Sequence, residues 1–481
     1  MLVSIISAAA WLSQPAVEVD SRLLTLGESP APVLVVLRDQ PDVRGIRTVA
    51  HGDARLTSVV STLRSNAEST QADLKAELDT RGIKYRSFWA INAIALEADT
   101  DTIAWLRQRP EVSNLAWDGM SKRVADVSVD PLLSQPKGTE QGLDVIGAPT
   151  VWGQGFRGQD VLIAGQDTGY EWTHPALQAK YAGWDGAISD HNYHWHDAIN
   201  SGGGSCGPST DAPCDDHNHG THTMGTMLGD DGGSNQIGVA PDSRWIGCRN
   251  MNVGDGSPST YADCFQFFLA PTDLAGNNPD PARAPHVINN SWGCPVSEGC
   301  NDPAVLQTLV ENVKAAGIMV VVSAGNSGSG CGSISTPAAI YEASFTVGNT
   351  TFSDNMAGSS SRGPVTVDGS NRMKPEVTAP GTGIRSSIRG GGYASFSGTS
   401  MSGPHVAGAA ALLMSADPTL KRDPERVEAL LMQTAVPVNS TQNCGGIPTT
   451  TIPNPVFGHG RIDVAAAIQA LLESLFDDSF E

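Results

Sequence analysis

The apolar positions between residues 30 and 118 predict a small unit of alternating strands and helices. Ala54–Arg81 carries apolar side chains near helical spacing up to Gly82, and Thr102–Arg109 predicts a shorter helix closed by Pro110. The β-α-β-(β)-α-β order predicts a small ferredoxin-like α+β sandwich. Its strands are expected at Val33–Leu37, Phe88–Leu96 (one strand, or two joined by a bend) and Val112–Trp117.

Continuous apolar runs, rather than alternation, mark the chain beyond residue 140. Such runs are typical of parallel strands that helices bury on both faces. We expect an α/β fold of three layers with a mainly parallel central sheet and helices on both faces. The predicted strands include Val161–Gln166, Arg244–Arg249, His286–Asn290, Ile318–Ser323 and Ser344–Gly348.

One hydroxyl group lies among small residues just before an apolar helical run. The segment Ser395–Gly408 reads SFSGTSMSGPHVAG, and Pro404 fits a first helical turn after Ser400. A serine at a helix N-terminus lies where unpaired N–H groups and the positive helix end can hold an oxyanion. This pattern favours Ser400 as a nucleophile, although a Gly-Thr-Ser sequence before a helix is by itself usually only an N-cap.

Two upstream segments contain the other groups that a serine nucleophile needs, a base and a residue that orients the base. Asp167 ends the apolar run in VLIAGQDTG, so its carboxylate lies at the ligand-binding edge of a parallel sheet. His219 precedes a run of small residues in DHNHGTHTMGT and can project toward the same edge. We predict Asp167 as the orienting acid, His219 as the general base and Ser400 as the nucleophile, with activity rising near the unperturbed histidine pKa of about 6.5.

These blocks, in the order Asp, His, Ser, resemble the catalytic blocks of subtilisin-family serine peptidases. The matching segments are Asp167-Thr-Gly, His219-Gly-Thr-His and Gly398-Thr-Ser-Met. The resemblance extends over roughly residues 142–472 and is nearest to the bacillopeptidase F-like branch. It implies that Asn326, in VVVSAGNSG, donates its side-chain amide to the oxyanion beside the Ser400 N–H. It also implies a substrate-binding strand and cleft wall at Ser291, Trp292, Gly293, Ser323, Ala324 and Gly325, with Trp292 either lining a pocket or simply packing.

The resemblance implies a secreted, monomeric serine endopeptidase that cleaves proteins or peptides through an acyl-enzyme and requires no organic cofactor. Residues 30–120, named here the N-terminal module, resemble the family's inhibitory and chaperone propeptide; a permanent accessory domain is the alternative. Residues 121–139 would be a linker that contains the self-cleavage site, residues 140–472 the catalytic domain and residues 473–481 an acidic tail. Residues 1–16 resemble the later part of a signal peptide whose start lies upstream of Met1. The uncharged Ser327 predicts no strong attraction of basic substrate side chains at that position.

The net charge limits the kinds of partner that the protein can bind, and the cysteine content indicates its cellular compartment. Fifty-one acidic against 30 basic residues give a formal net charge of −21, which argues against nucleic-acid or anionic-membrane partners. No window is apolar and long enough to span a membrane. Eight cysteines, all beyond residue 200, indicate disulfides and an oxidising compartment, with free buried thiols as the alternative. The sequence does not fix the pairing, but the natural guesses are Cys206–Cys214, Cys248–Cys264, Cys294–Cys300 and Cys331–Cys444.

Two other classes of protein stay open as alternatives: a metal-dependent hydrolase and a non-catalytic relative of the peptidases. A metal-dependent hydrolase could use the cluster Cys214–His222, but its spacing matches no common zinc pattern, and the cluster His191–His196 is a weaker candidate. A non-catalytic relative would keep the fold without the reaction. The resemblance also suggests calcium for stability, but no loop matches a calcium pattern, so we predict no metal ligands. The available carboxylates are Asp230, Asp231, Asp255 and Asp263, and His222 and His405 are expected to pack or to form hydrogen bonds.

Overall fold

The structure, a computed structural model, describes residues 16–27, 29–120, 128–130 and 138–477. The predicted signal peptide therefore lies outside the described residues, apart from residue 16, as do most of the predicted linker and the last residues of the acidic tail. In the described ranges no helix is both long enough and apolar enough to cross a membrane.

Residues 16–27 and the N-terminal module together form a five-stranded sheet with three helices. Strand β2 pairs antiparallel with both β4 and β5, and β1 adds a short parallel strand at the outer edge of β5. The strand order is β1-β5-β2-β4-β3. The elements are β1 (Glu18–Val19), β2 (Ala31–Leu37), β3 (Tyr85–Phe88), β4 (Ala93–Ala98), β5 (Val112–Trp117), α1 (Gly52–Thr70), α2 (Ala72–Arg81) and α3 (Thr100–Leu106).

The single long helix expected over Ala54–Arg81 is instead two helices that meet at Gln71. The Gln71 side chain is buried, and its amide donates to the Phe88 carbonyl oxygen and to the Asn92 side chain, each at 2.8 Å. Helices α2 and α3 share one core with the sheet, whereas α1 belongs to a core formed with the rest of the protein. Helical periodicity does not report this change of packing partner.

The rest of the chain, residues 138–477, is named here the main domain. Its central sheet has seven parallel strands in the order β15-β14-β13-β12-β8-β11-β9. The remaining strands are β6 (Ser128–Asp130), β7 (Gly138–Thr139), β8 (Leu162–Asp167), β9 (Trp195–Asp197), β10 (Asn235–Gln236), β11 (Arg244–Arg249), β12 (Val287–Asn290), β13 (Met319–Ser323), β14 (Phe345–Thr350), β15 (Val377–Pro380), β16 (Ile384–Ile388) and β17 (Gly392–Ser397). The remaining helices are α4 (Gln141–Val145), α5 (Ala148–Gly153), α6 (His219–Leu228), α7 (Pro258–Leu269), α8 (Gln307–Ala315), α9 (Thr399–Ala416), α10 (Pro424–Gln433) and α11 (Val464–Asp477).

Helices cover both faces of the central sheet, which confirms the predicted three-layer α/β fold. Along β13, Val320 and Val322 point into the core that contains α7 and α8, while Val321 points into the core that contains α6, α9 and α11. All three valines are fully buried, which explains why the strand is an unbroken apolar run in the sequence. The five predicted strands lie within one or two residues of their observed positions, and the pattern missed β9 and β15.

Two parts of the predicted linker form short strands. Strand β7 pairs with β10, and β6 pairs antiparallel with β17, with Val129 opposite Phe396 and Ser128 opposite Ser397. The linker sequence is polar and contains prolines, so it gave no reason to expect strands. Backbone pairing with β17 and β10 forms these two short strands. At the other end of the chain, α11 continues to Asp477, five residues beyond the predicted end of the domain at residue 472.

The N-terminal module and the main domain share a hydrophobic core. Leu56 and Leu63 of α1 belong to the same buried cluster as Phe265 of α7 and Leu309 of α8. Arg55, 4% exposed, donates to the carbonyl oxygens of two residues at the end of α8 and to the Glu425 carboxylate. The module therefore lies on the helix layer formed by α7 and α8.

All eight cysteines are paired, as the sequence suggested. Three bridges close short loops, with sequence separations of 8, 16 and 6 residues, and the fourth closes a loop of 113. The bridges are Cys206–Cys214, Cys248–Cys264, Cys294–Cys300 and Cys331–Cys444.

Candidate active site

Asp167, His219 and Ser400 come from the ends of three elements that meet at one edge of the sheet. Asp167 is the last residue of β8, a strand inside the sheet, while His219 is the first residue of α6 and Ser400 the second of α9. Helices α6 and α9 pack against each other, and both contact β8. The predicted positions therefore converge where the carboxyl ends of parallel strands place ligand-binding residues.

The imidazole of His219 is hydrogen-bonded to the carboxylate of Asp167. The distance from Nδ1 to Oδ1 is 2.7 Å, and the side chains are 2% and 1% exposed. Burial lowers the pKa of His219, but the Asp167 charge and this hydrogen bond raise it by more, so the pKa lies above 6.5. Because a carboxylate only accepts, Nδ1 carries a proton and Nε2 is left as the basic nitrogen.

Asp215 fixes the start of α6 and was missed by the sequence analysis. Its Oδ2 accepts from the N–H (3.0 Å) and the hydroxyl (2.6 Å) of Thr221, and its Oδ1 accepts from the Thr168 hydroxyl at 2.9 Å. One buried carboxylate thus joins the helix that carries His219 to the turn that follows Asp167. The sequence signal for this role was an aspartate four residues before His219. Aspartate is a residue type whose side chain often accepts from the first N–H groups of a helix.

Ser400 lines a cavity of about 720 Å³ together with His219 and Asn326. We name this space the Ser400 cavity. Among the described residues the Ser400 hydroxyl donates to the Ser291 carbonyl oxygen at 3.3 Å rather than to His219. The backbone N–H of Ser400 is one of the first in α9 and has no acceptor within the helix.

Asn326 contacts the first turn of the same helix. Its side-chain oxygen accepts from the Thr399 N–H at 2.9 Å and from the Thr399 hydroxyl at 3.1 Å. Since a backbone N–H can only donate, this bond fixes which end of the Asn326 amide is oxygen. The NH₂ group is the other end of the side chain, and Asn326 lines the Ser400 cavity.

The predicted substrate-binding residues divide into two groups. Ser291 and Ser323 line the cavity, but their hydroxyls donate to the carbonyl oxygens of Ser400 and Thr399, each at 2.9 Å. These bonds fasten the ends of β12 and β13 to the start of α9. The side chains of Ser291 and Ser323 therefore position the helix that carries Ser400.

The other predicted substrate-binding residues differ in how they face the cavity. Trp292, Gly293 and Gly325 line the cavity. Trp292 also stacks on Tyr261, with ring centroids 3.9 Å apart, so it both lines the pocket and packs. Ala324 is 1% exposed and is not among the lining residues.

His222 and His405 are buried and do not line the Ser400 cavity. His222 is buried, stacks on Phe396 with centroids 4.2 Å apart, and has a pKa that burial lowers to about 3. His405 is also buried, and its ring contacts the Met401 carbonyl oxygen at 2.8 Å. Both residues fit the predicted packing roles.

The two metal-binding hypotheses lack a ligand set in the described residues. Cys214 is held in a disulfide, and Asp216 contacts the buried Arg249. In the other cluster, His191 packs on Trp172 and His196 contacts Asp263. Nowhere in the described ranges do three His, Cys, Asp or Glu side chains form a group that could hold a metal ion.

Three of the four carboxylates suggested for calcium contact separate partners. Asp230 contacts Arg157 at 3.7 Å, Asp231 accepts from Asn235, and Asp263 contacts both Arg86 and His196. The structure therefore gathers no calcium site from these residues in the part of the chain that it describes.

Comparison with known proteins identifies the family. The subtilase family model matches residues 158–460, which include the elements that carry Asp167, His219, Asn326 and Ser400. The chain belongs to the subtilase family. Among similar proteins, bacillopeptidase F of Bacillus subtilis (strain 168) is 35% identical over 441 residues, 87% of this chain but 29% of that protein. The chain thus spans under a third of the length of this relative.

Shorter subtilases match over most of their own length. Subtilisin E of Bacillus subtilis (strain 168) is 30% identical over 366 residues, which cover 75% of this chain and 81% of that protein. A subtilisin of Bacillus pumilus is 31% identical over 332 residues, 68% of this chain and 98% of the relative. These subtilase matches agree with the parallel sheet and flanking helices of the main domain.

Proposed function

We propose that the protein is a serine endopeptidase that hydrolyses peptide bonds through an acyl-enzyme. The observation that carries the proposal is the 2.7 Å hydrogen bond between His219 and Asp167 at one edge of the cavity that Ser400 lines. Membership of the subtilase family supports the same reaction class. The substrates are proteins or peptides, and the reaction uses no organic cofactor.

In the proposed first step, Ser400 Oγ bonds to the substrate carbonyl carbon. Rotation about the Cα–Cβ bond exchanges the Ser291 acceptor for His219 Nε2, which takes the hydroxyl proton and then gives it to the departing amine as the C–N bond breaks. Asp167 keeps the imidazole in the required tautomer and stabilises its charged form. A water molecule then attacks the acyl-enzyme by the same route and releases Ser400.

The developing oxyanion needs donors that are already in place. The Ser400 N–H and the Asn326 NH₂ group are proposed for this role because one lies at the start of α9 and the other is oriented by Thr399. The positive end of α9 adds to the same field. These donors require no rearrangement when charge develops on the oxygen.

The N-terminal module is proposed to be an inhibitory propeptide that the enzyme removes by self-cleavage. The module packs on α7 and α8, and the short strand β6 runs antiparallel to β17, which ends three residues before Ser400. This arrangement brings Ser128–Asp130, a described part of the predicted linker, beside the strand that leads to Ser400. We also propose that the protein is secreted and monomeric. The paired cysteines fit secretion, since disulfides persist in oxidising compartments.

Replacement of Ser400 by alanine in the full chain tests the proposal. The variant should stay unprocessed and should not digest casein, and a phosphonylating reagent should label the wild type but not the variant. Ser402→Ala is the matched control because Ser402 lies on the same helix, fully buried and without a hydrogen-bond partner for its hydroxyl in the described residues. Processing and digestion that persist in Ser400→Ala would refute the serine mechanism.

A further inference from the structure

The hairpin of β16 and β17 lies against α6, the helix that begins with the proposed base. The two strands pair antiparallel, and residues 389–391 join them as the hairpin tip. On β16 the Ser386 hydroxyl donates to the His222 carbonyl oxygen, and the Ser387 hydroxyl donates to the Thr221 carbonyl oxygen, each at 2.8 Å. The hairpin is therefore bonded to the first turn of α6.

Arg389, the first residue of the hairpin tip, contacts the segment that leads into α6. Its Nε donates to Asn218 Oδ1 at 3.1 Å, and its backbone N–H donates to the same oxygen at 3.2 Å. Its Nη1 donates to the Asp215 carbonyl oxygen and to the Ser205 hydroxyl, each at 3.0 Å. Asn218 directly precedes His219, so the hairpin is bonded to the chain on both sides of the proposed base.

Asn218 has a backbone conformation that depends on its surroundings. It is the residue before α6, and its φ of 100° lies in the left-handed region that residues with a side chain seldom adopt. An asparagine at this position usually accepts from the first N–H groups of the helix, but within the described helix Asn218 makes no such bond. Asp215 accepts from the Thr221 N–H instead, and the Asn218 oxygen accepts from Arg389. The contact with Arg389 therefore fixes the residue that directs His219 into the helix.

The hairpin tip is itself held by the segment that follows Asp167. Glu171 Oε2 accepts from the Gly390 N–H at 2.6 Å, and His174 Nε2 lies 2.9 Å from the Gly392 carbonyl oxygen. The tip thus joins the segment after the proposed orienting acid to the segment before the proposed base. The guanidinium group extends from a tip that is bonded on both sides, so its position is well defined.

We propose that Arg389 is a positioning residue, which holds the His219 imidazole against Asp167 by fixing Asn218. The inference rests on the proposed peptidase function. The bond from His219 to Asp167 is 2.7 Å long and joins two buried side chains, so a displacement of the chain before His219 would change it directly. A displacement of about 1 Å at a reacting group can lower a rate by about a hundredfold.

The charge of Arg389 should affect His219 in the opposite direction from its proposed positioning role. The groups that interact electrostatically with the His219 ring are two carboxylates and two other imidazoles: Asp167, Asp215, His217 and His222. Loss of a cation near this cluster would by itself raise the pKa of His219. Burial lowers that pKa and Asp167 raises it by more, so loss of the bond to Asp167 would lower the pKa. The direction of the shift therefore separates the two roles.

The test compares the processed wild type, Arg389→Ala and Arg283→Ala by kcat, KM and pH profile on a neutral peptide. Arg283 is the matched control because it pairs with Asp280 on the surface, where the two side chains are 48% and 42% exposed. In Arg389→Ala kcat should fall about tenfold or more, while KM changes less than about twofold. The midpoint of kcat/KM against pH should move to lower pH, and Arg283→Ala should match the wild type. A loss that arises from KM, an unchanged kcat, or a midpoint that stays or moves to higher pH would overturn the inference.

Replacement of Asn218 by glycine tests whether Arg389 acts through this residue. Glycine adopts the left-handed conformation readily, so the variant removes the side-chain oxygen without adding backbone strain. Asn218→Gly should lower kcat as Arg389→Ala does, and the double variant should be no slower than the slower single variant. Losses that multiply in the double variant would show that Arg389 acts by another route, against the inference.

A titration that needs no activity keeps the test valid if a variant is not processed. In the full-length Ser400→Ala protein, NMR of the His219 ring should give a lower pKa once Arg389→Ala is added. An equal or higher pKa would contradict the positioning role alone. A wild type that cleaves no peptide would overturn the proposed function, and the titration would still report whether Arg389 holds His219 against Asp167.

Discussion

Two opposing effects determine the pKa of His219. Its side chain is 2% exposed, which disfavours the charged ring, while the Asp167 carboxylate at 2.7 Å favours it. The carboxylate dominates, and the pKa of His219 is raised above its usual 6.5. The sequence alone predicted a titration near the unperturbed value because it contains neither the burial nor the distance.

The pH dependence of activity follows from the direction of this shift. The base acts in its neutral form, so kcat/KM should rise with pH through the His219 pKa, with a midpoint above about 6.5 in the processed enzyme. The measurement is kcat/KM on a neutral peptide from pH 5 to 9. A midpoint at or below the unperturbed value would show that Asp167 does not govern the histidine.

At the scale of elements, the disulfides connect loops that lie around the cavity. Cys294–Cys300 encloses the loop of Glu298, which lines the Ser400 cavity, and Cys206–Cys214 lies in the segment before His219. Cys331–Cys444 joins the segment after β13 to the segment after α10, across a separation of 113 residues. A cross-link restricts the unfolded chain more strongly when it closes a longer loop.

Removal of the long-range bridge should therefore destabilise the protein more than removal of a short one. In a Ser400→Ala background, which prevents self-digestion, Cys331→Ala/Cys444→Ala should lower the free energy of unfolding by about 4–5 kcal/mol. Cys206→Ala/Cys214→Ala, with a separation of 8, is the control and should cost less than about 3 kcal/mol. Urea unfolding measures both, and a reversed order would contradict the loop-length argument.

At the scale of the whole molecule, the N-terminal module is held by a core and by a charged anchor. Arg55 of α1 reaches the carbonyl oxygens of Lys314 and Ala315 at 2.9 and 2.7 Å and contacts Glu425. The carbonyl groups at a helix end lack partners within the helix, and the negative end of the helix attracts a cation. The break at Gln71 lets α1 leave the module's own core and place Arg55 there.

Arg55→Ala should loosen the docking of α1. Loss of a buried, hydrogen-bonded charge should cost about 2–4 kcal/mol, because the carbonyl groups and Glu425 lose their partner. Hydrogen exchange of the α1 amides in full-length Ser400→Ala protein should accelerate accordingly. Arg44→Ala is the control, since Arg44 pairs with Asp42 on the surface, at 67% and 63% exposure, and its loss should leave exchange unchanged. Equal exchange in the two variants would contradict the anchoring role.

The sequence by itself determined the features that depend on neighbours along the chain. Apolar runs predicted five of the seven strands of the central sheet. The end of one run predicted Asp167, and the starts of two helical runs predicted His219 and Ser400, because a strand end or a helix start is a local pattern. Only the tertiary structure decided which distant groups meet. The Asp215 bonds across two segments, the helix-fastening hydroxyls of Ser291 and Ser323, and the Arg389 bonds to the segment before α6 depend on distances between separate segments, which no local pattern contains.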